Sequence, residues 1–317
     1  MEELTPLKSS YLNKKILITG ASGFLGRHLV VNLKDHGYKN LILPSHKEYE
    51  LTRPQRIQAL LKKWKPQVII HCAAKVGGIG ANQKYPGSFF YENSVMGVHL
   101  MEEARIHKVE KFVAIGTVCC YPKWTQVPFK EDDLWNGYPE ETNASYGLSK
   151  KMMLVQSQAY RIQYGFNSIF LVPVNLYGPG DNFDPDSSHV IPALIVKFFE
   201  AMKNGKKQVV VWGDGSSSRE FLYVEECAQA IRLAMERYDK SLPINLGIGE
   251  EITIKSLAEK IGKLAGFQGK IVWDSSKPNG QPRRSLDVSR AYEEFGFKAK
   301  VPIDEGLKKV MQWYRSI

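Results

Sequence analysis

The chain has 317 residues, 43% apolar and 24% charged, which suits one large globular domain or two modest ones. That balance excludes wholesale disorder, a collagen-like fibre and a disulfide-stapled scaffold. Lys and Arg number 43 against 33 Asp and Glu, a net charge of +10 that favours an anionic partner: nucleic acid, a membrane surface or a phosphorylated small molecule.

In chain order, KKILITG (14–20) reads as a strand closed by glycine, and FLGRHLVVNLKDHG (24–37) has helical spacing. NLILPS (40–45) is a second strand, RPQRIQALLKKWK (53–65) a helix and QVIIHCAA (67–74) a third strand. A long helix is expected over 88–107, a fourth strand over KFVAIGT (111–117), a helix over 146–165 and a strand over NSIFLVPVNLYG (167–178). Strands alternating with crossover helices predict an α/β fold: a Rossmann-type doubly wound parallel sheet. After a turn-rich loop (178–189) the rhythm changes to a helix (190–204), short runs QVVVWG, REFLYV and KIVWD, a helical ITIKSLAEKIGKLAG and a final helix. We expect residues 1–178 to form a dinucleotide-binding domain, with some chain near 220–248 returning to it, and 179–317 a smaller α/β substrate domain. The ligand belongs in the cleft at the carboxyl ends of the strands.

MEELTPLKSSYLNKK lacks the apolar stretch of a secretory signal, and no run approaches the roughly 18 apolar residues of a membrane span. The four cysteines, Cys72, Cys119, Cys120 and Cys227, contain no C-x-x-C pair, so no metal site is expected and a reducing cytoplasm is the default compartment. No arginine-rich run or aromatic-basic interleaving points to nucleic acid.

Gly20-Ala21-Ser22-Gly23-Phe24-Leu25-Gly26 reads G-x-x-G-x-x-G between a strand and a helix, the setting in which such a loop takes a pyrophosphate on the helix N-terminus. The second strand runs into Ser45, His46 and Lys47 with no carboxylate before Glu48, which suits a 2′-phosphate and favours NADP(H) over NAD. Tyr146 and Lys150, four apart, share one helix face, where an ammonium is expected to lower the phenol's pKa. Such a pair can protonate a carbonyl oxygen during hydride transfer, with the Thr117 hydroxyl as second donor. The bare pair is also common on exposed helices.

Together GASGFLG, Thr117 and YGLSK resemble the extended short-chain dehydrogenase/reductase family, over essentially the whole chain. HCAAKVGGIGAN, GTVCCYPK, PVNLYGPGDNF, SSHVIPALIVKF, VVVWGDG and SSREFLYV, in that order, resemble the members that make GDP-L-fucose. The resemblance implies 3,5-epimerisation of a GDP-4-keto-6-deoxymannose substrate, then NADPH-dependent reduction of the ketone, in a homodimer. It implies Cys119 as epimerisation base, His189 as acid, and Thr117, Tyr146 and Lys150 as reduction machinery. Cofactor contacts are implied at Ile115, Gly116, Thr117, Val118, Lys150, Pro173, Val174, Asn175 and Leu176. Substrate contacts are implied at Asn175, His189, Lys197, Trp212, Arg219 and Asn279, with Arg284 as a further phosphate candidate. The chain departs from the family in having Thr117 for serine, Asn279 for aspartate and Ser22 for an arginine, and Cys120 beside Cys119 leaves two candidate thiols. Related readings are an epimerase–reductase or a reductase acting on another nucleotide-4-keto-sugar of the GDP-heptose or colitose type, a UDP-sugar 4-epimerase, and a non-catalytic dinucleotide-sensing or nucleic-acid-binding protein.

Overall fold

A computed structural model describes residues 11–185, 187–277 and 279–317; the first ten residues of the segment read above as lacking a signal lie outside these. The first strands are short runs of Ile, Val and Leu buried on both faces, the composition a parallel sheet covered by helices requires. They are β1 (Ile16–Thr19), β2 (Leu41–Ile42), β3 (Val68–His71), β4 (Lys111–Ile115) and β5 (Ser168–Pro173). Between them run α1 (Phe24–Asp35), α2 (Pro54–Trp64), α3 (Ile79–Lys84), α4 (Pro86–Ile106) and α5 (Ala144–Tyr164). After β6 (Asn175–Tyr177) come α6 (Val190–Lys203), β7 (Gln208–Trp212), β8 (Ser218–Tyr223), α7 (Val224–Arg237) and β9 (Ile244–Leu246). The chain finishes with β10 (Glu251–Thr253), α8 (Ile254–Ala265), β11 (Lys270–Asp274), α9 (Ser289–Phe295) and α10 (Ile303–Arg315).

A six-stranded parallel sheet has the order β2-β1-β3-β4-β5-β9, so strand progression reverses between β1 and β3, the switch point where such sheets bind ligands. It is a Rossmann-type α/β sheet, and β9 joins it from late in the chain beside β5. A second lobe pairs β7 with β11 and packs α6, α8 and α10 around its own core of Ile195, Phe198, Leu257 and Leu307. A three-stranded sheet, β10-β8-β6, carries the chain between the lobes.

The run 167–178, expected as one strand, is two. β5 stays in the main sheet, while β6 pairs with β8 across the register Asn175 to Phe221. Val174 between them donates its N–H to the Leu246 carbonyl, 2.9 Å away, and the chain changes sheet there. Continuous apolar character hides this break, since both halves are buried. The short α3 was not foreseen, because Gly77, Gly78 and Gly80 mask its helical signal.

Candidate active site

The YGLSK segment lies in the first turns of α5, where Tyr146 and Lys150 stack one turn apart. The residue between them that matters most for position is Gly147: a Cβ there would stand 2.1 Å from the Cys119 carbonyl oxygen. Its missing side chain lets α5 close onto the 3-10 turn Val118–Cys120 that follows β4. Thr117 caps that turn, its hydroxyl oxygen accepting the Cys119 N–H at 3.3 Å. The Thr117 side chain also acts on the Tyr146 phenol, opposing the rise that burial causes. Phenol, hydroxyl and thiol therefore face one another at the carboxyl end of β4.

The electrostatics of the pair differ from the sequence expectation. Burial first, then the neighbouring Cys119 and Cys120, raise Tyr146 well above the ordinary phenol range, and Lys150 is not among the groups that set it. Lys150 is 2% exposed, and burial pushes it down to about 8, opposed by Cys72 and Cys120. Desolvation outweighs the attraction that helical spacing suggests. Tyr146 thus stands protonated at neutral pH, ready to give a proton.

The two adjacent cysteines separate cleanly. Cys120 is fully buried, its thiol donates to the Gly147 carbonyl at 3.3 Å, and burial pushes it up to about 12. Cys119 is part-exposed, and its sulfur accepts from Arg284 Nη1 at 3.7 Å. Arg284 also acts on His189, which stands at the N-cap position of α6 without a capping hydrogen bond and is solvent-exposed. The surrounding protein, then the Arg284 charge, hold that imidazole below its usual range. Arg219, on β8, is lowered to about 9 by burial and Arg284, with Cys119 opposing, and stays cationic at neutral pH.

From Arg219 the cleft wall continues into the second lobe. Its Nη2 donates to the Asn279 carbonyl at 3.1 Å, and Asn279 Oδ1 accepts the Asp214 N–H at 3.0 Å. Trp212, at the end of β7, is 51% exposed, so its ring is open to a planar ligand. Lys197 and Lys277 place ammonium groups 5.8 and 5.5 Å from its centroid, and Lys197 Nζ is steadied by the Val210 carbonyl at 2.9 Å. Asn175 donates to the Glu220 carbonyl at 2.9 Å, which anchors it between the lobes.

The dinucleotide cradle fits its ligand. Gly20 has φ +70°, and a Cβ on Gly26 would stand 2.0 Å from the Gly20 carbonyl oxygen, so the turn closes only with glycine at both. A Cβ on Gly23 would meet nothing but that same oxygen, at 3.2 Å, leaving the α1 N-terminus approachable by phosphate. Ala21, Ser22, Phe24 and Leu25 complete the loop, and Ile115, Gly116, Val118, Pro173, Val174 and Leu176 lie at or just beyond the ends of β4 and β5. Ser45 accepts the Glu48 N–H, while His46 pairs with Glu50 at 2.9 Å, a partner that sequence spacing left unnoticed. Among the described residues no cluster of three His, Cys, Asp or Glu is placed to hold a metal ion. Sequence reasoning missed Gln281 and Glu220. Glu220 adjoins Arg219 and Gln281 stands three positions before Arg284, the one hint the sequence offers.

Residues 16–247 match the NAD dependent epimerase/dehydratase family. The chain belongs to that family. The probable GDP-L-fucose synthase 1 of Oryza sativa subsp. japonica is 42% identical over 301 residues, 95% of this chain and 92% of its own. Among solved structures, a GDP-6-OMe-4-keto-L-xylo-heptose reductase from C. jejuni aligns with TM-score 0.91 and 29% identity, covering 97% of this chain and 99% of its own. A GDP-L-fucose synthetase from Naegleria fowleri bound to NADP aligns with TM-score 0.87 and 27% identity, over 96% and 94%.

Burial makes the charge of the Lys150 ammonium sensitive to pH just above neutrality. Its folded value, about 8, lies below that of a free lysine, so the ammonium is lost as pH rises through that value. If reduction needs the charged form, log kcat/KM for ketone reduction falls with unit slope above about pH 8. Lys150→Met should lower the whole profile and remove that limb.

Proposed function

We propose that this protein is an NADPH-dependent epimerase–reductase that converts GDP-4-keto-6-deoxy-D-mannose to GDP-L-fucose, by 3,5-epimerisation and then reduction of the 4-ketone. The observation that carries the reading is one cleft wall holding both a proton-donating phenol and a thiol beside a guanidinium, in a chain 42% identical to a probable GDP-L-fucose synthase.

Protons α to a ketone become acidic once its oxygen is polarised. Tyr146 and Thr117 hold that oxygen as hydrogen-bond donors in both stages. Cys119 removes the proton at each of C3 and C5, and His189 returns one from the other face. The diphosphate brings negative charge beside Arg284 and Arg219, which favours the imidazolium that this return requires. NADPH, when bound, would supply the hydride chemistry at C4; the part of Tyr146 is to give its proton to the ketone oxygen. The cradle at Gly20–Gly26 and the α1 N-terminus would hold the pyrophosphate, and Ser45, His46 and Lys47 are the residues that would take the 2′-phosphate. Trp212 with Lys197, Lys277, Arg219 and Asn279 suits an aromatic base joined to a diphosphate.

The enzyme acts as a homodimer. On α5, Met152, Val155 and Ile162 are exposed at 40, 51 and 87%, and Tyr91 on the neighbouring α4 at 61%, a helical stripe that fits a second copy of the same stripe. Sedimentation velocity should give twice the chain mass, and Val155→Glu should halve it. Among the described residues no helix is long and apolar enough to cross a membrane. All four cysteines are free thiols, and a working Cys119 requires a reducing compartment such as the cytoplasm.

The experiment is to supply GDP-4-keto-6-deoxymannose and NADPH and identify the sugar by NMR. GDP-L-fucose supports the reading; a 4-reduced, unepimerised product refutes it. A second reading, reduction of another GDP-4-keto-sugar, is favoured by the TM-score of 0.91 to a GDP-heptose reductase, and would appear as faster turnover of a heptose substrate.

A further inference from the structure

We infer that Arg284, oriented by Gln281, is a positioning residue for the Cys119 sulfur, pairing with it in the sugar-free protein and setting its reactivity toward electrophiles. Only the use of that thiol in epimerisation rests on the function proposed above.

Arg284 is 6% exposed, and a buried guanidinium needs an anion. Among the described residues its side-chain partners are two: the Gln281 amide oxygen, which accepts from Nε at 3.1 Å and Nη2 at 2.9 Å, and the Cys119 sulfur, 3.7 Å from Nη1. The first is neutral. The sulfur is the one of the two that can carry the compensating charge.

The surroundings fix this geometry. Gln281 is 3% exposed and donates to the Pro122 and Lys123 carbonyls at 3.3 and 2.9 Å. Those carbonyls follow directly on the turn that carries Cys119, so guanidinium and sulfur are held in one register. The Arg284 carbonyl accepts the Glu220 N–H at 3.0 Å, and the buried Glu220 carboxylate takes the N–H groups of Leu286, Ile248 and Gly249 at 2.6, 2.6 and 2.8 Å. A carboxylate at position 281 would neutralise the guanidinium; an amide orients it and leaves its charge for the thiol. The other groups around the sulfur are Arg219, the Tyr146 phenol, the Thr117 hydroxyl and the buried Cys120, with His189 facing Arg284 and Glu140 facing Arg219.

Alkylation of Cys119 in the sugar-free enzyme tests this, read by peptide mass and compared between neutral iodoacetamide and anionic iodoacetate. Cys72, Cys120 and Cys227 are raised to about 12 or beyond by burial, which confines the reaction to Cys119. At pH 7, Arg284→Met should react about tenfold more slowly with iodoacetamide and lose the preference for iodoacetate, whereas Arg284→Lys should stay within about threefold of wild type. Gln281→Glu, which leaves Arg284 in place but gives it a carboxylate, should slow the reaction in the same direction. NADPH fluorescence titration confirms that each variant retains its fold. Wild-type alkylation rates in both Arg284→Met and Gln281→Glu, or an Arg284→Lys as slow as Arg284→Met, overturn the pairing. Because no sugar is present, an enzyme that fails to epimerise but shows Arg284-dependent alkylation would refute the proposed function and leave the pairing standing.

Discussion

Tyr146→Phe should lower ketone reduction by about two to four orders of magnitude, the range a positioned proton donor supplies. Phenylalanine fills the same space on α5, and Gly147 still allows the close approach to the Cys119 carbonyl, so the fold and NADPH binding should persist. The size of the effect follows from the protonation state. Burial and the adjacent thiols hold the phenol protonated through the working range, so in the wild type the acid is present at every pH where Lys150 is charged. With Thr117 as the second donor proposed above, solvent exchange at C3 and C5 should fall less than reduction does. Loss of nicotinamide absorbance with the keto-sugar gives the first rate, and deuterium incorporation by NMR gives the second. NADPH oxidation at the wild-type rate would remove Tyr146 from the chemistry.

How far the sequence reaches is visible in the same residues. Helical periodicity puts Tyr146 and Lys150 on one face, and the strand-turn-helix setting of the glycine loop identifies its use, because both are local rules. What local rules omit is what the rest of the chain brings to these atoms. The ammonium of Lys150 was legible; its burial beside Cys72 and Cys120, which sets its charge, depends on β3 and the 118–120 turn arriving from elsewhere. Arg284 reads as a cation for a diphosphate; that Gln281 also holds it against a sulfur 165 positions earlier is what the sequence does not show. The split of 167–178 was hidden because a buried run looks the same whichever sheet receives it. Adjacent thiols were indistinguishable in one dimension. In a 3-10 turn successive side chains point about a third of a revolution apart, so Cys119 reaches the cleft while Cys120 enters the core.

That divergence makes Cys119→Ser the sharper test of epimerisation. Serine keeps nearly the same shape, so Thr117, Arg284 and the cleft should stay in place, but a hydroxyl holds its proton far more tightly than a thiol. Incorporation of solvent deuterium at C3 and C5 should fall by roughly a hundredfold or more, while hydride transfer to the unepimerised ketone continues, because Tyr146, Thr117 and Lys150 are untouched. The product should therefore shift toward a 4-reduced sugar with the original configuration at C3 and C5. Cys120→Ser is the matched control. Its thiol is buried against the Gly147 carbonyl and meets no ligand, so exchange should stay within about threefold of wild type, with any larger cost appearing in thermal stability. Normal exchange in Cys119→Ser would assign proton removal to another group. Loss of exchange in both variants would mean that the turn's shape, and not the Cys119 sulfur, is what epimerisation needs.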